Sequence, residues 1–413
     1  MVTDDHRIHS IMKSEYKKQV VRFLSIAVEY GACLYIFFWL FDKGEGLRNV
    51  GLYGAFTAWL ILVFFKEIKV SFHAVSLAFF LFIFSCILSS LFSIDVESSF
   101  MALKSDVLKP VMIFLVISTF FDLRMLMRLG KVICFFGIII LAMGLEGFLS
   151  GRTDFYYTSA NIFLNADKNK FGFFAGLIFP FFLLFFASSE KVRTKASWGF
   201  TVIWGIVAAF FSASRSAMGN ILAVIGCWAV FFSKREHRRK LAIPMLALLI
   251  ILSLSFPILP SPLRNSILSV PQHLTTFTYR IDYFWFPAFQ AIQKRPVIGW
   301  GYGNNIYRDP RPFENGKKPN WKLTGGLHST FIKILFHQGI VGLASYLLLL
   351  ILSLVHLFRI IRDKTDERRL LAATLFSIIL GSFIVNSFLL SIPLERLAPI
   401  AGMSAALVER KTL

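Results

Sequence analysis

A few polar side chains stand where their neighbours are apolar or small, and each has a definite chemistry. Arg215 lies in FFSASRSAMGN, between two apolar runs. A guanidinium stays protonated and offers a planar fork of donors to phosphate or carboxylate. Ser212, Ala213, Ser214, Ser216 and Ala217 leave room for a bulky head group to reach it. An arginine inside a bilayer costs about 2.5–3.5 kcal/mol on insertion scales, and a turn built from Asn or Gly would cost less. Two uses fit: holding an anionic ligand, or snorkelling to lipid phosphate and pairing with an acid on another helix. His328 lies in GGLHSTFIKILFHQGIVGL, just after two glycines that free the backbone. An imidazole, with an ordinary pKa near 6.5, can take a proton near neutral pH. His328 is then a general base or an ordinary interfacial histidine. Lys168 and Asn169, in NADKNKFGFF, open another apolar run. They contact a polar ligand, or this segment caps a helix.

Other chemistries lack their residues. There is no HExxH, no His/Asp/Glu group at metal-ligand spacing, and no GxSxG nucleophile motif. The cysteines Cys33, Cys86, Cys134 and Cys227 all lie inside apolar runs and form no CxxC, which argues against zinc and structural disulfides. No metal and no cofactor is expected.

The elements that position these residues are membrane helices. The 413 residues are 56% hydrophobic and 16% charged, with a mean hydropathy of +0.65, whereas a soluble chain carries roughly 25% charged residues. Apolar runs near the length needed to cross a bilayer core recur along the chain. They predict an all-α integral membrane protein with spans near 24–41, 50–65, 72–92, 107–121, 131–149, 171–189, 199–213, 217–233, 241–259, 329–358, 369–390 and 397–410. The formal charge of +20 is not read as a nucleic-acid signal, because most of the excess sits in short clusters between spans. Alternate connections hold Lys66 and Lys69; Arg124, Arg128 and Lys131; Lys191, Arg193 and Lys195; Lys234 to Lys240; and Arg359 to Arg369. By the positive-inside rule these face the cytoplasm, with both termini. The expected plan is a cytoplasmic tail over 1–23, helices one to nine over 24–259, a long loop over 260–328 facing away from the cytoplasm, and helices ten to twelve over 329–410.

The long loop is basic: Arg264, Arg280, Lys294, Arg295, Arg308, Arg311, Lys317, Lys318 and Lys322 stand against Asp282, Asp309 and Glu314. The excess suits a polyanion such as a diphosphate or a phosphorylated glycolipid, or else adhesion to anionic headgroups. Tyr279 and Arg280 begin YRIDYFWFPAFQAIQKRP, where Pro287 allows at most a broken helix. IGWGYGNN follows, and its closely spaced glycines demand a tight or close-approach backbone. It is not a GxGxxG after a strand, so no dinucleotide site is expected.

Over roughly 150–390, four segments in order resemble the O-antigen ligase and polymerase superfamily of bacterial inner membranes: NADKNKFGFFAGLIFP, SASRSA, Arg280 with RPVIGWGYGNN, and LHSTFIKILFHQGIVGL. Two departures stand out. Ser329 replaces the usual Asn beside the histidine, and His337 replaces a common acidic residue, which takes away a candidate acidic partner. The resemblance implies a metal-independent C-type glycosyltransferase. Its donor would be a glycan on undecaprenyl diphosphate, and its acceptor the lipid A–core oligosaccharide, meeting at the periplasmic face. Carried over by position, Arg215 and Arg280 would hold the diphosphate and His328 would be the base. Lys168, Asn169, Tyr279, Arg264, Arg308 and Arg311 would touch substrate. O-antigen polymerase, which shares the donor, is the nearest alternative. A transporter of an anionic lipid would instead need polar residues at mid-membrane and repeat symmetry.

Overall fold

A computed structural model describes residues 3–39, 44–149, 168–211, 215–232, 281–303, 327–388 and 392–409. Every regular element among them is helical. In chain order these are α1 (Thr3–Trp39), α2 (Glu45–Phe64), α3 (Ala74–Leu91), α4 (Val96–Asp106), α5 (Leu108–Phe120), α6 (Leu123–Leu149), α7 (Lys168–Ser188), α8 (Val192–Phe211) and α9 (Arg215–Phe232). A π-helical turn, Ile281–Trp285, runs into α10 (Phe286–Lys294). Then come α11 (Thr330–Arg362), α12 (Arg369–Ile378) with a π-helical extension over Ile379–Val385, and α13 (Leu394–Glu409).

The expectation of an all-α membrane protein agrees with these elements. Six helices are long and apolar enough to cross a bilayer: 15–39, 45–64, 74–91, 123–143, 330–362 and 369–388. The expected spans at 107–121, 171–189, 199–213, 217–233 and 397–410 coincide with α5, α7, α8, α9 and α13. The span expected at 241–259 lies outside the described residues.

The way α3 distributes its side chains shows which solvent suits it. It buries Ser76, Ser85, Ser89 and Ser90 and exposes Leu77, Leu81, Phe84 and Leu91. In water so much exposed apolar surface would be costly. In lipid, apolar side chains lose nothing by facing outward, while hydroxyls find partners only within the bundle.

One helix, α4, had no counterpart among the expected spans. It is short and only weakly apolar, and Asp95 caps it by accepting the Ser98 N–H at 3.1 Å.

Contacts sort the helix termini into two ends of the bundle. At one end Glu395 accepts from Tyr35 (3.3 Å) and pairs with Arg48 (3.1 Å), and its carbonyl accepts the Trp39 indole N–H (3.0 Å). Lys109 pairs with Glu45 there at 2.9 Å. This gathers the end of α1 with the starts of α2, α5 and α13. Thr330 Oγ1 accepts the Ile392 N–H at 2.9 Å, which adds the start of α11. At the opposite end Lys17 pairs with Glu67 (2.7 Å), Arg368 donates to the Leu407 carbonyl (2.6 Å), and Arg369 donates to the Phe231 carbonyl (2.8 Å).

Candidate functional site at the His328 end of the bundle

His328 precedes α11 with φ of +48°, in the left-handed region that a residue with a Cβ seldom adopts. Ser329 is the helix cap: its hydroxyl accepts the Ile332 N–H at 3.5 Å and donates to the Ser387 carbonyl at 3.0 Å. The turn before the cap is therefore tied to the end of α12. The His328 ring lies edge-on to Phe284, with centroids 5.3 Å apart.

Phe284 belongs to residues 281–303, which fold back on α11 with a small core of their own. Ala288, Ala291 and Ile292 of α10 pack with Trp300, Leu327, Ile332 and Phe336. Trp300 donates its indole N–H to the Ala291 carbonyl at 3.0 Å, and the Arg295 guanidinium lies over its ring at 4.8 Å. Trp285 donates to the Leu327 carbonyl, beside His328, at 3.1 Å.

The dock works because α11 is broken. Gly339 has φ +63° and ψ −161°, a conformation open essentially to glycine alone. A continuous helix would bond the N–H groups of 340 and 341 to the carbonyls of 336 and 337. Here the Ile340 N–H goes to Pro296 (2.8 Å) and the Val341 N–H to Val297 (3.3 Å). The freed carbonyls of Phe336 and His337 accept the N–H groups of Trp300 and Gly301, both at 3.0 Å. Two bonds within the helix are exchanged for four to the loop, and the break leaves none of these main-chain groups unpaired. The glycines expected to allow close approach do so. A Cβ on Gly299 would lie 2.5 Å from the His337 carbonyl, and one on Gly301 would overlap Ser93.

His337 locks the same joint. It is buried, and its Nδ1 lies 2.8 Å from the Gly301 carbonyl oxygen. That oxygen only accepts, so Nδ1 carries the proton. The expectation that losing an acidic residue here removes a partner is thus corrected. An ionised carboxylate could not donate to this carbonyl, and an imidazole can.

Arg215 is the first residue of α9. The last turn of α9 is held by Arg369 at the opposite end, which sets Arg215 roughly 24 Å away, toward the His328 end. Lys168 and Asn169 start α7 at that end. Arg396 of α13 lies over the rings of Phe173 and Phe174, one to two turns into α7, at 5.0 and 5.1 Å. Phe173 in turn meets Phe383 of the π-helical stretch at 5.7 Å. The structure thus gathers the starts of α7, α9, α11 and α13 with the end of α12. Arg280, Tyr279, Arg264, Arg308 and Arg311 lie outside the described residues, although Ile281, which follows Arg280, opens the docked segment.

Sequence reading passed over two features of this end. Arg396 is one; its signal was an adjacent acid–base pair, Glu395 and Arg396, inside an apolar run. Asn386 is the other. It is fully buried beside the carbonyl that Ser329 reaches, and its amide makes no hydrogen bond among the described residues.

A family model described as "O-Antigen ligase" matches residues 200–347. That stretch contains Arg215, Arg280, the docked segment, His328 and the break at Gly339. The chain is also similar to a protein of Salmonella typhimurium (strain LT2) called "O-antigen ligase", at 30% identity over 134 residues. The match covers 30% of this chain and 31% of that protein, so the chain spans about a third of the relative's length. Over this segment the chain is similar to O-antigen ligases.

Proposed function

We propose that the chain is an O-antigen ligase, transferring a glycan from undecaprenyl diphosphate to the lipid A–core oligosaccharide at the periplasmic face of a bacterial inner membrane. The observation that carries this is the gathering of His328, the start of α9 with Arg215, and the segment that follows Arg280 at one end of the bundle. His328 takes the proton of the acceptor hydroxyl as its oxygen attacks the anomeric carbon. The bond from that carbon to the diphosphate breaks, and undecaprenyl diphosphate leaves with the electron pair. Arg215 and Arg280 offset the charge that develops on the leaving group, a task that needs no metal. A base on the face opposite the leaving group gives inversion.

Lys168 and Asn169 at the start of α7 lie beside the donor, and Tyr279, Arg264, Arg308 and Arg311 of the loop meet phosphate or sugar. The charge pattern supports the orientation. Lys17, Lys18, Lys66 and Lys69 and the arginines 359–369 cluster at the end away from His328, as the positive-inside rule asks of a cytoplasmic face. Residues 1–23 are then a cytoplasmic tail and 260–328 a periplasmic loop between the helices of 24–259 and 329–410, with both termini inside.

The test is transfer by the purified protein from lipid-linked glycan to purified lipid A–core, with EDTA present. His328→Ala should lose roughly 10²–10⁴-fold, the usual contribution of a general base, and Arg215→Ala should fall as well. Wild-type rates in both variants would remove the site assignment. Lengthening of the lipid-linked glycan without core would make the protein a polymerase.

A further inference from the structure

Next to the start of α11 is a cavity of about 200 Å³ lined by none of the residues given a role in transfer, although His337 of the joint borders it. Its walls come from α3, the end of α4, the turn at 302–303, α11 from Thr330 to Tyr346 and residues 392–397. Among the described residues, α7 and α9 contribute nothing to it.

The lining mixes charge of both signs with aromatic rings: Asp106, Lys333, Gln338, Tyr302 and Tyr346, above an apolar floor. Gln338 is held in place, since its Oε1 accepts from Ser85 at 3.0 Å. Burial keeps the Tyr302 phenol well above its ordinary pKa, so it remains an O–H donor. The space equals roughly six or seven waters, the bulk of one pyranose ring. An acyl chain would strip water from Asp106 and Lys333 without replacing their hydrogen bonds. A lone phosphate would meet the Asp106 carboxylate. A sugar suits all of the lining: hydroxyls donate to Asp106 and accept from Lys333, while ring C–H faces lie on tyrosine.

We infer that this cavity is a monosaccharide subsite for the acceptor glycan. The inference rests on the ligase reading for which glycan arrives. Thr330 lines the cavity and follows His328 by two residues, a Cα separation of at most about 7.6 Å. A sugar seated there is a neighbour of the one whose hydroxyl meets His328.

The test separates sugar binding from transfer. Core oligosaccharide freed of its acyl chains is titrated against the full protein in phosphatidylcholine nanodiscs by saturation-transfer NMR. Wild type should bind. Asp106→Asn, which keeps the shape of the side chain, and Lys333→Met should each weaken binding by roughly tenfold or more, with unchanged thermal midpoints. Equal binding by wild type and both variants, or no binding by wild type, would overturn the subsite. So would loss of binding when phosphatidylethanolamine is added, which would assign the cavity to a zwitterionic headgroup. A wild-type protein that binds the oligosaccharide through Asp106 yet transfers nothing to it would keep the subsite and remove the ligase reading.

Discussion

Replacing Gly339 with alanine tests the joint on which the site is built, because the sign of the effect depends on whether α11 is broken. In a continuous helix the change would stabilise the protein by up to about 1 kcal/mol, since glycine is the poorer helix former. In the broken helix alanine must adopt φ +63° and ψ −161°, which costs about 1–3 kcal/mol. Its Cβ would also overlap the Val297 carbonyl. That carbonyl accepts the Val341 N–H at 3.3 Å, next to the Ile340–Pro296 bond at 2.8 Å. Displacing it leaves at least one buried group unpaired, at about 1–3 kcal/mol. The total is about 2–6 kcal/mol, a large part of an ordinary protein's 5–15 kcal/mol. The assay is thermal unfolding in one detergent followed by tryptophan fluorescence, to which Trp300 in the joint contributes, together with glycan transfer. Gly54→Ala is the control: it lies in α2 with nothing within 4 Å of an added methyl, and its midpoint should hold or rise. A Gly339→Ala protein with a midpoint at or above wild type would refute both the break and the docking of 296–301.

His337→Phe keeps the volume roughly but removes the donor to Gly301, so the variant should lose about 1–3 kcal/mol and show faster amide exchange over 299–303. Ser329→Ala loses both the α11 cap and the bond to Ser387; unfolding should show a loss of about 1–2 kcal/mol. At the opposite end Asp366 and Arg368 pair with side chains only 11% and 12% exposed, and the hydrogen bonds that Arg368 donates to Asp366 raise the Arg368 pKa. Asp366→Asn should therefore destabilise by roughly 1.5–3 kcal/mol in denaturant titrations while leaving the acceptor KM unchanged. Glycan transfer should be the same before and after exhaustive chelation.

Much of the helical framework was legible in the sequence, and particular residues show where legibility stopped. The apolar runs of α1, α2, α3, α6, α11 and α12 stand out because lipid selects on composition averaged over a whole span. Helix α4 left a weaker trace: the cap pair Asp95 and Ser98 was present, but eleven residues of mixed polarity read as a connection. The glycines of IGWGYGNN announced a close approach without saying to what; the answer is α11 and Ser93, both remote in the chain. The break at Gly339 left no mark, because the apolar pattern runs through it unchanged and hydropathy does not record where an N–H finds its acceptor. His337 was misjudged for the same reason, since its value depends on the Gly301 carbonyl brought beside it.

By itself, then, the sequence determined that the chain is a bundle of apolar helices suited to a membrane, with basic clusters in alternate connections, and it singled out Arg215 and His328 as charges and bases out of place. Those properties follow from transfer free energies and charge, which belong to residues in order along the chain. Only the tertiary structure decided that α11 opens at Gly339 to receive 296–301, that Phe284 lies against His328, and that Asp106 and Lys333 share a cavity. Those pairings join groups dozens to hundreds of residues apart, and they form because buried donors and acceptors must be satisfied wherever the packed helices bring them together.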